Sequence, residues 1–308
     1  VKKPIIVITG PTASGKTALS LQVAKDLRGE IICADSMTVY RGMDIGTDKP
    51  TVLTKNVKEK SNDGCYEING ICHHLLDIVD PDEEFNVAKF QKIVTRIVEE
   101  IHSRGNIPLL VGGSTMYIDA FVYGYEMPEA KPDQALRESL EKRNCEELFE
   151  ELIGLDPDAE WTIDRHNKRR IIRALEVTLQ TGIPFTHQKK KHDLPDNVLY
   201  LAVSRRREEL YADINRRVDE MMEAGFLEEV ENLFKKYDHN TAMQAAGYKQ
   251  LIQYLDGERT LEEAVERTKQ VHRNYAKRQM TWLNKNKDVI WVSGKSEAEK
   301  IIKDFLKN

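Results

Sequence analysis

The chain has 308 residues, of which 31% are charged and 40% hydrophobic, and a formal net charge of −5. A chain of this size buries most of its unfolded surface and needs no disulfides to hold a core. No apolar run approaches the ~20 residues that span a bilayer. No signal-peptide pattern follows the opening Val1-Lys2-Lys3. These features argue against a membrane or secreted class and lead us to expect a cytoplasmic protein.

Pro4–Thr9 is a short β-branched run stopped by a glycine, the pattern of a buried strand. Residues 10–17 form a glycine-containing loop, and a helix is predicted over Ala18–Leu27, with Leu19, Val23 and Leu27 on one face. Glu30–Ala34 reads as a second strand. Asn86–Arg104 has Val87, Phe90, Val94, Ile97 and Ile101 at helical spacing, with Asn86 as N-cap and Gly105 as stop. Ile107–Val111 reads as a third strand. Short apolar strands alternating with helices argue for a parallel sheet covered by helices.

The pattern changes near Ala120. Asp133 to Thr181 is helical and highly charged, punctuated by Gly154, Pro157 and Gly182. Leu199–Val203 restores a strand. Helices are predicted at Glu208–Glu223, Leu227–Tyr237, Ala245–Leu255 and Leu261–Asn284, then a strand at Val289–Val292 and a terminal helix. The predicted fold is therefore α/β, with an all-helical insertion over 120–196 and a core made of 1–119 and 197–308.

The four cysteines are Cys33, Cys65, Cys72 and Cys145, and none forms a Cys-x-x-Cys pair. We expect reduced thiols used as small hydrophobes. Cys65, Cys72, His73 and His74 invite a zinc reading, but their spacing does not match the usual ligand patterns.

Charge is segregated. Trp161 to Lys191 holds eight basic residues and two acidic ones, and Arg267 to Lys287 holds seven basic and none acidic. Glu138 to Glu160 holds nine acidic residues. Two basic stripes on an acidic protein can bind a polyanion locally, or can be solvated helix faces paired with the acidic stretch.

Gly10-Pro11-Thr12-Ala13-Ser14-Gly15-Lys16-Thr17 fits G-x-x-x-x-G-K-[ST] between a predicted strand and a predicted helix. Glycines let backbone N–H groups curl around phosphate oxygens, and the helix N-terminus adds donors and a favourable dipole. Lys16 supplies a cation and Thr17 a hydroxyl for Mg²⁺. The loop certifies a di- or triphosphate, not ATP hydrolysis. The strand Pro108–Val111 ends in Gly112-Gly113-Ser114 rather than the acid that NTPases use for Mg²⁺. The available acid is Asp35, directly after the second strand. Carboxyl ends of neighbouring strands share one crevice, so Asp35 and the phosphate loop are expected to face one ligand. A capping or Mg²⁺-shell role is the alternative for Asp35.

Beyond these features the chain resembles the bacterial tRNA dimethylallyltransferases. The resemblance rests on the phosphate loop, Asp35-Ser36-Met37-Thr38 through Lys49-Pro50, His73-His74-Leu75-Leu76-Asp77, Gly112-Gly113-Ser114-Thr115-Met116-Tyr117 and Lys277-Arg278-Gln279-Met280-Thr281-Trp282-Leu283. It implies a P-loop NTPase-like core with a helical insertion. It also implies transfer of a dimethylallyl group from dimethylallyl diphosphate to N6 of adenosine 37 of tRNA, with Mg²⁺. The phosphate loop would hold the donor's diphosphate, and Asp35 would take the N6 proton. Arg217 matches an arginine that the family carries on the helix after the late core strand. The family pattern puts tRNA contacts at Asp35, Ser36, Met37, Thr38, Ser114, Arg137, Arg169, Arg170, Arg173, Gln244, Gly247, Lys249, Lys277 and Arg278. Two departures stand out. Ser114 replaces the usual threonine, and Thr38 stands where glutamine is common. Eukaryotic relatives carry a zinc-finger extension after the region that corresponds to this chain, so a bacterial-type enzyme is expected, acting as a monomer.

Three rival readings are open. A small-molecule kinase shares the loop and a helical lid. An adenylate isopentenyltransferase prenylates free nucleotides and needs no basic stripes. A non-catalytic P-loop module would bind RNA without turnover and make Asp35 dispensable.

Overall fold

The computed structural model describes residues 3–50, 57–58 (backbone only), 64–126, 128, 130–188 and 191–307. Lys189 and Lys190 of the first basic stripe lie outside the described residues. The chain divides into two compact units, 1–122 with 194–308, and 123–193.

The larger unit opens with β1 (Ile5–Thr9), α1 (Lys16–Leu27) and β2 (Gly29–Cys33). β3 (Val57–Lys58), β4 (Tyr66–Ile68) and β5 (Ile71–His74) follow, then α2 (Val87–Ser103), β6 (Ile107–Gly112) and α3 (Thr115–Val122). The smaller unit holds α4 (Gln134–Glu141), α5 (Cys145–Leu155), α6 (Ala159–Thr162) and α7 (Lys168–Thr181). The chain then returns through β7 (Val198–Val203), α8 (Arg207–Glu223), α9 (Phe226–Tyr237), α10 (Tyr248–Leu255), α11 (Leu261–Lys285), β8 (Ile290–Val292) and α12 (Lys295–Phe305).

The sheet order is β3-β4-β5-β2-β6-β1-β7-β8. The pairs from β5 to β8 are parallel, and β3 and β4 add an antiparallel edge. Every residue of β1 and β7 is buried, as expected for strands covered on both faces. Ile6, Ile8, Ile31, Leu109, Val111, Leu199 and Leu201 share one continuous core with Leu19 and Val23 of α1.

Two expectations need correction. β1 and β2 are not neighbours, because β6 lies between them and pairs with both. The thiols of Cys65 and Cys72 are joined in a disulfide rather than reduced, while Cys33 and Cys145 are free.

The smaller unit has its own core of Leu140, Leu148, Leu152, Ile171, Ile172 and Leu175. At its centre the Glu176 carboxylate is fully buried. Arg137 Nε meets it at 2.8 Å and Arg173 Nη1 at 2.5 Å, and the Asp133 N–H donates to it at 2.8 Å. Burial would raise the Glu176 pKa, but these partners outweigh it and hold the carboxyl below its usual range.

Candidate active site

The phosphate loop is the turn between β1 and α1. Gly10 has φ of 148° and Gly15 has φ of 90°, both in the region that glycine occupies without strain. α1 begins at Lys16, two residues earlier than predicted, so the loop's last N–H groups belong to its first turn. The Ser14 hydroxyl is buried and has no partner among the described residues.

Side chains from distant segments brace this loop. The Thr12 N–H donates to Gln279 Oε1 of α11 at 2.9 Å, and Gln279 Nε2 donates to the Gly113 carbonyl at 2.8 Å. Arg205 Nη1 donates to the Ala13 carbonyl at 3.2 Å. Arg217 Nη1 of α8 reaches Thr12 Oγ1 at 3.3 Å and Asp48 Oδ2 at 2.8 Å. Arg216 turns outward to Asp213 and Glu220.

Asp35 follows β2. Its Oδ1 accepts from the N–H groups of Met37 at 2.8 Å and Thr38 at 3.4 Å. That turn fixes the carboxylate and, among the described residues, leaves Oδ2 without a hydrogen-bond partner. The intervening β6 does not separate Asp35 from the phosphate loop, because it ends in glycine. A Cβ on Gly112 would overlap the Ala34 carbonyl, and one on Gly113 would overlap Gln279. Ser114 ties the same two strand ends together: its N–H donates to Ala34 O at 3.2 Å, and its Oγ accepts from the Ser36 N–H at 3.0 Å.

The rest of the Asp35–Pro50 signature is largely scaffold. Lys49 is fully buried, with Nζ 2.5 Å from both Asp44 and Asp77. Glu229 of α9 accepts from three successive N–H groups, those of Asp44 at 3.0 Å, Ile45 at 2.6 Å and Gly46 at 3.1 Å. The Tyr248 hydroxyl also donates to Glu229 at 2.6 Å. These bonds lay residues 44–48 along the wall of the site.

Two cavities meet there. One is lined by Thr12, Lys16, Thr17, Asp35, Thr38, Asp48, His73, Arg217 and other residues. The second, of about 400 Å³, is lined by residues including Ser36, Met37, Gln244, Lys249, Tyr275 and Arg278. Thr12, Asp35, Gly46, Thr47 and His272 belong to both walls. Beyond Arg278, a surface groove runs along Asn274, Lys277, Thr281, Trp282 and Lys285. Trp282 is oriented by its indole N–H, which donates to Asp119 at 2.7 Å.

The electrostatics suit an anion in the first cavity. Burial, then the Arg217 charge, lowers Lys16 to about 8. Burial raises Asp48 against the pull of Arg217 and Lys16. Burial and Arg217 lower His272 to about 4, so its imidazole is neutral, and its Nε2 is a buried atom without a partner among the described residues. Burial, then Asp35, pushes Tyr275 up to about 12.

The structure thus gathers Lys16, Thr17, Asp35, Thr38 and Arg217 around one cavity, and Ser36, Met37, Gln244, Lys249 and Arg278 around the next. The Thr38 hydroxyl is buried without a partner among the described residues. Lys277 is exposed on the groove. Gly247 instead starts α10, with φ of 90°, and packs under Phe226. In the smaller unit Arg169 and Arg170 are exposed, whereas Arg137 and Arg173 serve Glu176. Sequence reasoning gave no individual role at this site to Asp48, His73, His272, Tyr275 and Gln279. For three of these a signal existed: His272, Tyr275 and Gln279 recur at helical spacing along one face of a predicted helix.

Comparison with known proteins agrees with this arrangement. The family model described as IPP transferase matches residues 38–286. A tRNA dimethylallyltransferase of Pelotomaculum thermopropionicum is 41% identical, over 97% of this chain and 93% of that protein. One of Bacillus subtilis is 41% identical, over 94% of this chain and 90% of that protein. The crystal structure of a tRNA isopentenylpyrophosphate transferase of Bacillus halodurans superposes with a TM-score of 0.70 at 38% identity, covering 99% of this chain and 96% of that one. A eukaryotic dimethylallyltransferase captured acting on tRNA gives a TM-score of 0.80 at 29% identity, covering 100% of this chain and 80% of that one. A phosphate loop whose strand neighbour ends in glycines, with Asp35 facing it across a shared cavity, is carried here on a chain that belongs to the IPP transferase family.

Proposed function

We propose that the chain transfers the dimethylallyl group of dimethylallyl diphosphate to N6 of adenosine 37 in tRNA, giving N6-(dimethylallyl)adenosine and diphosphate. The observation that carries this reading is Asp35, on the wall shared by the phosphate-loop cavity and the second cavity. A diphosphate ester held by the first and a base entering through the second meet at its carboxylate.

Adenine N6 is a weak nucleophile, because its lone pair is delocalised into the ring. As the bond from N6 to the allylic carbon forms, Asp35 Oδ2 accepts the N6 proton. The carbon–oxygen bond to diphosphate breaks in the same step, and negative charge grows on the departing oxygen. Lys16, Arg217 and the loop amides stabilise that charge. Thr17 and Asp48 offer hard oxygen donors on the wall of the cavity, which suit Mg²⁺. When bound, Mg²⁺ would neutralise diphosphate charge.

Unstacking a loop base costs less than opening a duplex, and single-stranded RNA is where proteins read sequence. The groove from Arg278 past Lys277 and Trp282 to Lys285 offers cations and an aromatic face to RNA approaching the second cavity. Arg169 and Arg170, exposed on α7, are further phosphate contacts in this reading. The proposed site draws on one copy of the chain, and the reading puts the enzyme with its tRNA in the cytoplasm. Among the described residues no helix is long and apolar enough to cross a membrane.

The test supplies Mg²⁺ and labelled dimethylallyl diphosphate to the protein, with an anticodon stem-loop in one reaction and free AMP or ATP in another. Label in the RNA alone is expected. Label in the free nucleotides would make it an adenylate prenyltransferase, and no transfer at all would return the kinase reading.

A further inference from the structure

The hairpin of β4 and β5 gathers the cysteine and histidine cluster that its spacing in the sequence seemed to scatter. Tyr66 pairs with His73 and Glu67 with Cys72, in antiparallel register. Cys65 therefore stands across from His74. Side chains alternate along a strand, so Cys72 and His74 share the face of Cys65, while His73 points the other way and lines the phosphate-loop cavity. Ligand atoms of Cys65, Cys72 and His74 all lie within 4.8 Å of one another. Cys65 and His74 are buried and Cys72 is half-buried. His74 Nε2 is 3.2 Å from Cys72 Sγ.

We propose that, with the Cys65–Cys72 bond reduced, the two thiolates and the His74 imidazole bind one zinc ion. No step proposed for prenyl transfer uses these residues. Zinc takes ~2.3 Å bonds to thiolate sulfur and ~2.0–2.1 Å bonds to imidazole nitrogen, in a tetrahedron. Such a site needs roughly 3.6 Å between a sulfur and a nitrogen ligand, close to the separation already present between Cys72 and His74. Three protein ligands leave the fourth position to water.

The surroundings complete the charge balance. Glu30 Oε2 lies 2.7 Å from the same imidazole nitrogen. Arg104 holds the Glu30 carboxylate at 3.0 and 2.7 Å, and Asn106 holds it at 2.8 Å. Two thiolates and one carboxylate face a divalent cation and one guanidinium, so the buried cluster is neutral with the ion in place. Zinc on Nε2 would take the place of that nitrogen's hydrogen bond to Glu30, leaving the carboxylate beside the ion.

Two chemical events are coupled. A dithiol reductant gives two electrons and two protons to the sulfur–sulfur bond, yielding two thiols and its own disulfide. Zinc then displaces both thiol protons to solvent. The bonded and metal-bound forms exclude each other, so the hairpin is closed by a disulfide under oxidising conditions and by zinc under reducing ones. His73 and His74 pair with Ile31 and Ile32 of β2, so the ion would clamp the edge hairpin one residue from the cavity wall.

The test uses the full chain reduced with a phosphine, freed of metal and titrated with Co²⁺ in the absence of air. The expected result is one equivalent bound with sulfur-to-cobalt charge-transfer absorption, displaced by one equivalent of Zn²⁺. Cys72→Ser should weaken zinc binding at least 100-fold, and the air-oxidised chain should bind none. Cys65→Ser/Cys72→Ser, checked for folding by circular dichroism, controls for Cys33 and Cys145. Absence of the charge-transfer bands in the reduced chain, or equal zinc binding by the double variant, would overturn the proposal.

Discussion

The side-chain amide of Gln279 joins the phosphate loop to the end of the neighbouring strand, accepting from Thr12 N–H at 2.9 Å and donating to Gly113 O at 2.8 Å. One residue of a long helix thus sets the distance between the loop that would hold the donor and the strand end that lies beside Asp35. The Lys277-Arg278-Gln279 run therefore contains two kinds of residue. Lys277 and Arg278 face the groove, and Gln279 faces the core.

Gln279→Ala removes the partner of the part-buried Thr12 N–H and leaves the Gly113 carbonyl only its 3.5 Å contact with the Tyr275 hydroxyl, at a cost of ~1–3 kcal/mol. We expect a donor KM raised about tenfold, in line with the same order of energy, while tRNA affinity holds. Steady-state kinetics with the donor varied, alongside a tRNA filter-binding titration, separates the two. Loss of tRNA affinity with donor KM unchanged would mark Gln279 as an RNA contact instead.

Arg217 spans Thr12 and Asp48. If it stabilises the departing diphosphate, Arg217→Gln should lower kcat ~10²–10³-fold, the loss typical of one preorganised donor. Arg216→Gln, at an exposed position paired among the described residues only with acids of its own helix, should change kcat less than twofold, because surface pairs contribute little. Equal losses in the two variants would contradict the assignment.

Burial first, and then Arg217, lower Lys16 to about 8. Below that pH it is charged and attracts the diphosphate. Above it the ammonium loses its proton and the attraction fades. The donor kcat/KM should therefore fall as pH rises through about 8. Removing Arg217 removes one lowering influence, so the fall should move to higher pH in Arg217→Gln. A profile that stays level to well above this range would show that Lys16 is not needed as a cation.

Four arginines of the smaller unit divide into two pairs. Arg137 and Arg173 neutralise buried Glu176, so removing them strands a carboxylate in the core. Breaking a buried pair costs ~3–5 kcal/mol, and Arg137→Ala/Arg173→Ala should lower the unfolding midpoint of this unit sharply. Arg169→Glu/Arg170→Glu should leave that midpoint nearly unchanged, yet weaken tRNA binding and reduce the slope of log K against log salt by about 2. Thermal unfolding and binding at several salt concentrations read both effects.

Much of this arrangement was legible in the sequence because its signals are local. The phosphate loop and Asp35 each sit at the end of a short apolar strand, and the end of each strand is marked within a few residues. What was not legible depended on pairing between distant segments. The strand order, with β6 inserted between β1 and β2, becomes workable only because Gly112 lets the Ala34 carbonyl approach. The hairpin of β4 and β5 did carry a signal, Asn69-Gly70, whose φ values of 53° and 80° form a tight turn that these residues favour. Its strands are too short for alternation to stand out. Spacing rules for zinc ligands assume ligands close in the chain, whereas the hairpin brings Cys65 and His74 together by cross-strand pairing. His272 reads in sequence as an ordinary helical residue, and only the packing of α11 over the loop turns its imidazole toward both cavities.

In the proposed reaction donor and acceptor meet at Asp35. The most direct measurement is the single-turnover rate of prenyl transfer to an anticodon stem-loop, with donor and RNA both saturating, for the wild type and Asp35→Ala. A proton acceptor acting in the transition state contributes ~10²–10⁴-fold, so the variant should lose that much rate while binding both substrates as before. A variant that transfers the group at the wild-type rate would contradict the account.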